Sequence, residues 1–290
     1  MKYLFFALRP WQWVKNFFIF FPLIFGKKLF VFPDNLKALV AFSLFSLSAG
    51  VVYIINDIID IERDKFHPVK LLRPIASAKI SVKKAWVAAS LLGSAAIILS
   101  FALDVYFGYI ILIYLIFNFI YSKALKEYVI IDVFCIGGFF LLRIIAGSVV
   151  GKFELSIWII IMTSLLAIFL GFIKRRQELK LLQAKAGQHR QSLSKYSVAF
   201  IDQSIAIITA AILIVYTLYA IDSGTARELK TKSLICSVPF VYYGVFRYLY
   251  LIHKVWNDGD PTRILLSDRP LQWNILLWIS VCILVIYFGF

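Results

Sequence analysis

The chain has 290 residues, 61% of them hydrophobic and 17% aromatic, with a formal net charge of +15 and a mean hydropathy of +0.85. That apolar content exceeds the roughly 45–50% of soluble domains, which excludes an ordinary soluble fold. Nucleic acid is excluded as a partner, because the basic residues lie in loops between apolar runs and form no recognisable binding module.

Nine apolar runs of membrane length follow one another, at 13–32, 36–56, 84–103, 105–121, 129–150, 156–173, 199–219, 232–252 and 271–289. They lack the polar–apolar alternation of a barrel, so the expected fold class is all-α: a polytopic membrane protein forming one integral domain over 1–290, with the lipid bilayer as its surroundings. Before the first run stands Arg9-Pro10-Trp11-Gln12-Trp13-Val14-Lys15-Asn16. Its tryptophans suit an interfacial belt, and Lys15 is a candidate to reach a phosphate-bearing group. No small-residue cleavage signature follows, so a cleavable signal peptide is not expected.

The second run ends in Asn56-Asp57-Ile58-Ile59-Asp60-Ile61-Glu62-Arg63-Asp64. At about 100° per residue, Asp57, Asp60 and Asp64 fall within roughly 60° of one another on a helix face. Oxygen donors with no Cys or His beside them point to Mg²⁺, which takes one or two carboxylates and completes its shell with water and substrate phosphate. Asp57, Asp60 and Asp64 are therefore candidate metal-binding and catalytic residues for a magnesium diphosphate. A solvated helix end with local Arg63 and Lys65 pairs is the competing reading. The same loop continues through His67, Pro68, Lys70, Arg73 and Pro74. Pro68 should stop the helix near His67, and Lys70 and Arg73 can fold back to neutralise phosphate oxygens. His67 is either a phosphate contact or a helix-end cap.

Between the fourth and fifth runs, Tyr121 and Lys126 occupy a short turn that can face the acidic loop, and Asp132 opens the fifth run. Arg143 lies eleven residues further on, about 16 Å deeper on nearly the same helical face. A charge at that depth needs either an internal ion-pair partner or a polar cavity holding a phosphate. Gly137-Gly138 is a candidate for close helix approach. The sixth run ends in Lys174-Arg175-Arg176-Gln177-Glu178; the bare basic triplet reads as a topology anchor, and the carboxylate of Glu178 adds the alternative of a Mg²⁺-phosphate site, since anchors alone need no acid. Asp258 to Arg269 reads as a structured loop before the last run. Cys135, Cys236 and Cys282 fall within spans and read as packing residues. No nucleophilic triad or Gly-rich phosphate loop is visible.

Placing the N-terminus in the cytoplasm puts 22 Lys and Arg on that side and seven on the other, with Arg143 and Arg247 within spans. The expected location is the inner (plasma) membrane, with the acidic motif cytoplasmic and the C-terminus outside. Membrane-facing aromatic surface leaves a homo-oligomer open.

Asn56-Asp57-x-x-Asp60-x-x-x-Asp64 at the end of the second of nine spans resembles the first Asp-rich motif of the intramembrane UbiA-type prenyltransferase superfamily. The resemblance implies nine helices around a central cavity, with cytoplasmic active-site loops and Mg²⁺ bound with a diphosphate. A second Asp-rich motif normally follows span six; this chain carries Lys174-Arg175-Arg176-x-Glu178 there. That departure, with Trp13-x-Lys15-Asn16, His67-Pro68-x-Lys70-x-x-Arg73-Pro74, Tyr121-Ser122-x-x-Leu125-Lys126, Asp132, Leu142-Arg143-x-x-Ala146-Gly147 and Lys174-Arg175, resembles the polyprenyl-phosphate (decaprenyl-phosphate) phosphoribosyltransferase branch. The resemblance implies phosphoribosyl diphosphate as donor, a polyprenyl phosphate as acceptor and a phosphoribosylated lipid used in arabinan precursor synthesis. It also implies substrate-binding roles for Lys15, Asn56, His67, Lys70, Arg73, Tyr121, Lys126, Asp132, Arg143, Lys174, Arg175 and Glu178. The rival expectations are a prenyltransferase acting on an aromatic acceptor in quinone or haem biosynthesis, and a membrane transporter or lipid-binding protein.

Overall fold

The computed structural model describes residues 2–66, 69–182, 191–229, 231–254 and 261–289. Eight helices among them are long and apolar enough to cross a membrane. The helices are α1 (Lys2–Ala7), α2 (Phe21–Phe25), α3 (Asp34–Ile59), α4 (Ile61–Asp64), α5 (Val82–Leu103), α6 (Val105–Lys123), α7 (Ile131–Gly151), α8 (Ile157–Leu182), α9 (Gln191–Ser194), α10 (Val198–Ile221), α11 (Ser223–Leu229), α12 (Val238–Lys254), α13 (Pro261–Ser267) and α14 (Arg269–Phe288). His67 and the loop residues before Pro261 lie outside the described residues.

Capping chemistry explains several starts. Ser81, Asp104, Ser197 and Asp268 each accept a backbone N–H three residues on, at α5, α6, α10 and α14, satisfying donors that a helix N-terminus otherwise leaves orphaned.

Two boundaries differ from expectation. The run 13–32 is not one α-helix: a 3₁₀ segment, Pro10–Phe20, leads into the short α2. Pro22 has no N–H to donate to the preceding turn, so an uninterrupted ladder is impossible there. Eleven residues of 3₁₀ geometry far exceed the usual three or four, and packing against α3 and α7 sustains them. The sixth span, expected to end at 173, stays helical to Leu182. Its polar extension is built from strong helix formers, with Arg175 bonded to Glu178 one turn on.

The chain gathers into two compact units, one of residues 1–155 and 184–195, the other of 156–183 and 196–290. In the first, Ile19 of the 3₁₀ segment, Phe45 and Ala49 of α3, Phe107 and Tyr114 of α6, and Phe139 and Ala146 of α7 form one core. A second cluster of Ala7, Val51, Ile54, Ile75, Ala85 and Ala89 joins α1 and α5 to α3 and to the loop that follows α4. In the second unit, Trp278 of α14 donates to the Tyr216 hydroxyl of α10 at 2.8 Å, which lies 2.8 Å from Ser237 Oγ. Arg247, inside α12, is paired with Asp268 at 2.8 Å. Leu91 and Ile98 on α5 and Ile207 on α10 remain about two-thirds exposed, as expected for side chains that face lipid.

Candidate functional site

The three acids begin on one helix, but the helix does not carry all three. α3 ends at Ile59; Asp60, with φ −96° and ψ 8°, terminates it, and α4 restarts at Ile61. This break at Asp60 corrects the single-face expectation: Asp57 and Asp64 enter one buried cluster, while Asp60 turns toward a different cation.

Asp57 is fully buried and Asp64 is 1% exposed. Arg73 bridges them with one nitrogen, Nη1, which donates to Asp57 Oδ1 at 3.0 Å and to Asp64 Oδ2 at 2.6 Å. Arg9 Nη2 donates to the same Asp57 Oδ1, and its guanidinium lies 4.9 Å over the Tyr53 ring. Lys126 Nζ donates to Asp60 Oδ1 at 2.5 Å, and Ser122 Oγ donates to Asn56 Oδ1. An exposed pair, Arg63–Glu127, adds a second ion-pair link between the acidic segment and the turn before α7; exposed pairs of this kind contribute little to stability. Burial pushes the Asp64 carboxyl above the usual carboxylate range, opposed by Arg73 and Lys70 and reinforced by Asp57 and Asp60.

Two oxygens in this cluster, Asp57 Oδ2 and Asp64 Oδ1, are buried and accept no hydrogen bond among the described residues. A buried carboxylate oxygen without a partner is costly, and a hard cation is the ligand that such an oxygen suits. Among the described residues no three His, Cys, Asp or Glu side chains converge in a ready-made metal cage. The donors therefore fit Mg²⁺ held by two carboxylates, with the rest of its shell supplied by water and phosphate.

The other candidate residues are distributed as follows. Lys70 opens a 3₁₀ turn, Lys70–Leu72, within reach of the electrostatics of Asp64. Tyr121 is half-buried and packs edge-on against Phe139. Asp132 is fully buried in the first turn of α7, where the helix dipole favours a carboxylate. Among the described residues Arg143 does not have the carboxylate partner that an internal salt bridge requires. It donates instead to Asn16 Oδ1 at 2.7 Å, to the Phe139 carbonyl at 2.6 Å and to the Tyr114 hydroxyl at 3.3 Å, among the rings of Phe45, Tyr114 and Phe140. Asn16 in turn donates to Ser46 at 2.9 Å. Arg143 is thus tied into neutral packing that joins α7 to the 3₁₀ segment. Lys15, half-buried, precedes this anchored asparagine.

Lys174, Arg175 and Glu178 belong to the second unit. Arg175 is fully buried and bonded to Glu178, and Arg176 is bonded to Asp202 and to the Ile252 carbonyl. Gln177 between them is 2% exposed, yet neither its Oε1 nor its Nε2 has a hydrogen-bond partner among the described residues. Gln177→Leu is expected to leave stability unchanged or raise it by about 1–3 kcal/mol, because the leucine removes a desolvated amide without breaking a bond. Chemical unfolding in detergent measures this; a loss above about 1 kcal/mol would contradict the orphaned amide.

The sequence pattern missed Arg9, Ser122 and Gln177. Arg9 reads as one more basic residue beside a span, since the left-handed backbone that turns it toward Asp57 (φ 51°, ψ 65°) has no glycine or asparagine to announce it.

A profile described as the UbiA prenyltransferase family matches residues 17–276. Among curated proteins, the chain is 30% identical to the decaprenyl-phosphate phosphoribosyltransferase of Mycolicibacterium smegmatis over 98% of this chain and 92% of the relative. It is also 30% identical to that of Mycobacterium tuberculosis, over 98% and 94%. Among solved structures, a UbiA homolog from Archaeoglobus fulgidus bound to GPP and Mg²⁺ superposes with a TM-score of 0.72 at 21% identity, covering 99% of each chain.

Proposed function

The chain belongs to the UbiA prenyltransferase family, and we propose that it transfers a 5-phosphoribosyl group from phosphoribosyl diphosphate to a polyprenyl phosphate such as decaprenyl phosphate, releasing diphosphate. The observation that carries this reading is the interleaving of Arg9, Arg73 and Lys126 with Asp57, Asp60 and Asp64. A cluster offering both oxygen ligands and three cations suits a reaction in which donor and acceptor are both phosphorylated, better than one joining a prenyl diphosphate to a neutral aromatic ring. The names of the mycobacterial relatives support the same reading. The family match crosses both compact units, which supports treating residues 1–290 as one functional domain.

In the proposed reaction the bond from ribose C1 to the diphosphate oxygen breaks, and a bond from C1 to an oxygen of the lipid phosphate forms. The leaving diphosphate keeps the electron pair. The attacking phosphate is already ionised near neutral pH, its second pKa being about 6, so no general base is needed. Mg²⁺, when bound, would supply neutralisation of charge on the leaving diphosphate, and Asp57 and Asp64 are the residues to hold it, with Asp60, paired to Lys126, beside them. Arg73 and Lys126 are placed to bind phosphate oxygens, Arg by two donors at once. Lys70, Asn56 and Tyr121 are further candidates to bind the phosphorylated substrates. Charge at C1 builds as in other displacements at an anomeric carbon.

The excess of Lys and Arg on one side supports an inner (plasma) membrane location with the acidic cluster on the cytoplasmic side and the C-terminus outside. The test is purified protein with Mg²⁺, a polyprenyl phosphate and phosphoribosyl diphosphate. The expected result is released diphosphate and a charged glycolipid. No such product, alongside turnover of a prenyl diphosphate with an aromatic acceptor, selects the rival.

A further inference from the structure

Arg9 reaches the acidic cluster from outside it. The left-handed turn at Arg9 links α1 to the 3₁₀ segment: its N–H donates to the Phe6 carbonyl at 3.1 Å and its carbonyl accepts from Gln12 N at 2.9 Å. A side chain as long as arginine is uncommon at positive φ, and here it places a guanidinium on an acid 48 residues away. Arg73, by contrast, belongs to the acidic loop itself and bridges two of its carboxylates.

Three cations, Arg9, Arg73 and Lys126, thus meet three carboxylates, Asp57, Asp64 and Asp60, and their formal charges cancel. Such a cluster has no surplus negative charge with which to attract a free divalent ion. Among the described residues it offers two uncommitted buried oxygens, one on Asp57 and one on Asp64, whereas Mg²⁺ demands about six ligands in octahedral geometry. A diphosphate removes both obstacles: its oxygens complete the metal's shell, and its charge receives the guanidinium that Asp57 releases.

We propose that Arg9 makes metal binding conditional on diphosphate, so that the cluster takes up the divalent ion and the diphosphate together and neither tightly alone. The inference rests on the reading of this site as a metal–diphosphate site, and not on which group the diphosphate carries. By linkage, whatever factor diphosphate adds to metal affinity, metal adds to diphosphate affinity.

Equilibrium dialysis of the full-length protein in detergent, with Mn²⁺ alone, inorganic diphosphate alone, and both, measures the coupling. A protein-free compartment corrects for the complex that the two form in solution. In the wild type, diphosphate is expected to tighten Mn²⁺ binding by about 10- to 100-fold, within the usual range of such couplings. In Arg9→Gln, Mn²⁺ alone is expected to bind about tenfold tighter, and the coupling to fall below about fivefold. Wild-type protein that holds Mn²⁺ equally well with and without diphosphate overturns the proposal, as does an Arg9→Gln protein with unchanged binding. If Arg9→Gln fails to elute as a folded species, Arg9→Lys carries the test. Its retained charge should keep Mn²⁺ alone weak, and tight binding of Mn²⁺ alone would overturn the role given to that charge. Coupling without turnover of phosphoribosyl diphosphate leaves this inference standing and removes the proposed reaction; turnover without coupling does the reverse.

Discussion

Asp57→Asn is expected to lower kcat/KM for phosphoribosyl diphosphate by about 10²- to 10³-fold, the usual loss when one preorganised charged or dipolar group is removed from a reacting site. The substitution keeps the shape of the side chain and removes its charge. Asp57 Oδ1 accepts from both Arg9 and Arg73, and Oδ2 is the buried oxygen available to a cation. Asparagine turns one of these two positions into an NH₂ donor, so it either opposes the guanidiniums or presents hydrogens to the metal. The fold should suffer less than the chemistry. Breaking a fully buried ion pair costs about 3–5 kcal/mol, but Arg9 and Arg73 retain side-chain exposures of 18% and 21%, and Arg73 keeps Asp64, so about 1–2 kcal/mol is expected here. Asp60→Asn, at a carboxylate with 22% side-chain exposure and Lys126 as its ion-pair partner, should be the milder of the two in stability. Initial rates over a Mg²⁺ titration, with thermal unfolding in parallel, measure both effects. An Asp57→Asn enzyme that turns over at the wild-type rate with divalent ions chelated would remove the metal from the mechanism and the acidic cluster from the site.

Much of the candidate site was legible because charge in an apolar chain is rare and therefore informative. Asp57, Asp60, Asp64, Arg73 and Lys126 stand out in sequence, and the structure brings Arg73 to Asp57 and Asp64, and Lys126 to Asp60, within hydrogen-bond reach. The spans were legible for the complementary reason: an uninterrupted apolar run reports burial in lipid whatever its internal geometry. That indifference to geometry is why the break at Asp60 and the 3₁₀ segment at Pro10–Phe20 escaped it. Periodicity assumes that a helix continues, and two proline-containing turns and one residue at φ −96° were enough to redirect the side chains. Arg143 shows the limit from the other side. Its depth was correctly read as needing compensation, but nothing local in sequence says that an amide from residue 16, a hydroxyl from residue 114 and three aromatic rings supply it in place of a carboxylate. Partners separated by 127 positions are fixed by tertiary packing alone.

Gly147→Ala is expected to destabilise the protein by about 2–5 kcal/mol, more than Gly138→Ala, although the Gly137-Gly138 pair is the more conspicuous signal of close helix packing. A Cβ built on Gly147 falls 2.0 Å from the Ile19 carbonyl oxygen and 2.9 Å from its carbon. Those atoms are backbone, so no side chain can rotate away; α7 or the 3₁₀ segment must move. Arg143 lies one turn earlier on α7 and donates to Asn16 on that same segment at 2.7 Å. Separation of the two elements therefore also strains a charged hydrogen bond worth about 1.5–3 kcal/mol, in addition to overpacking of about 1–3 kcal/mol. The gain in helix propensity from Gly to Ala, about 1 kcal/mol, offsets only part of this. At Gly138 the new methyl meets the edge of the Phe117 ring at 3.0 Å, a side chain that can turn aside, so the propensity gain should leave Gly138→Ala within about 1 kcal/mol of wild type. Thermal unfolding of both variants in one detergent decides between them. Equal stabilities would mean that the contact between Gly147 and Ile19 is not the close approach that holds the N-terminal segment to α7.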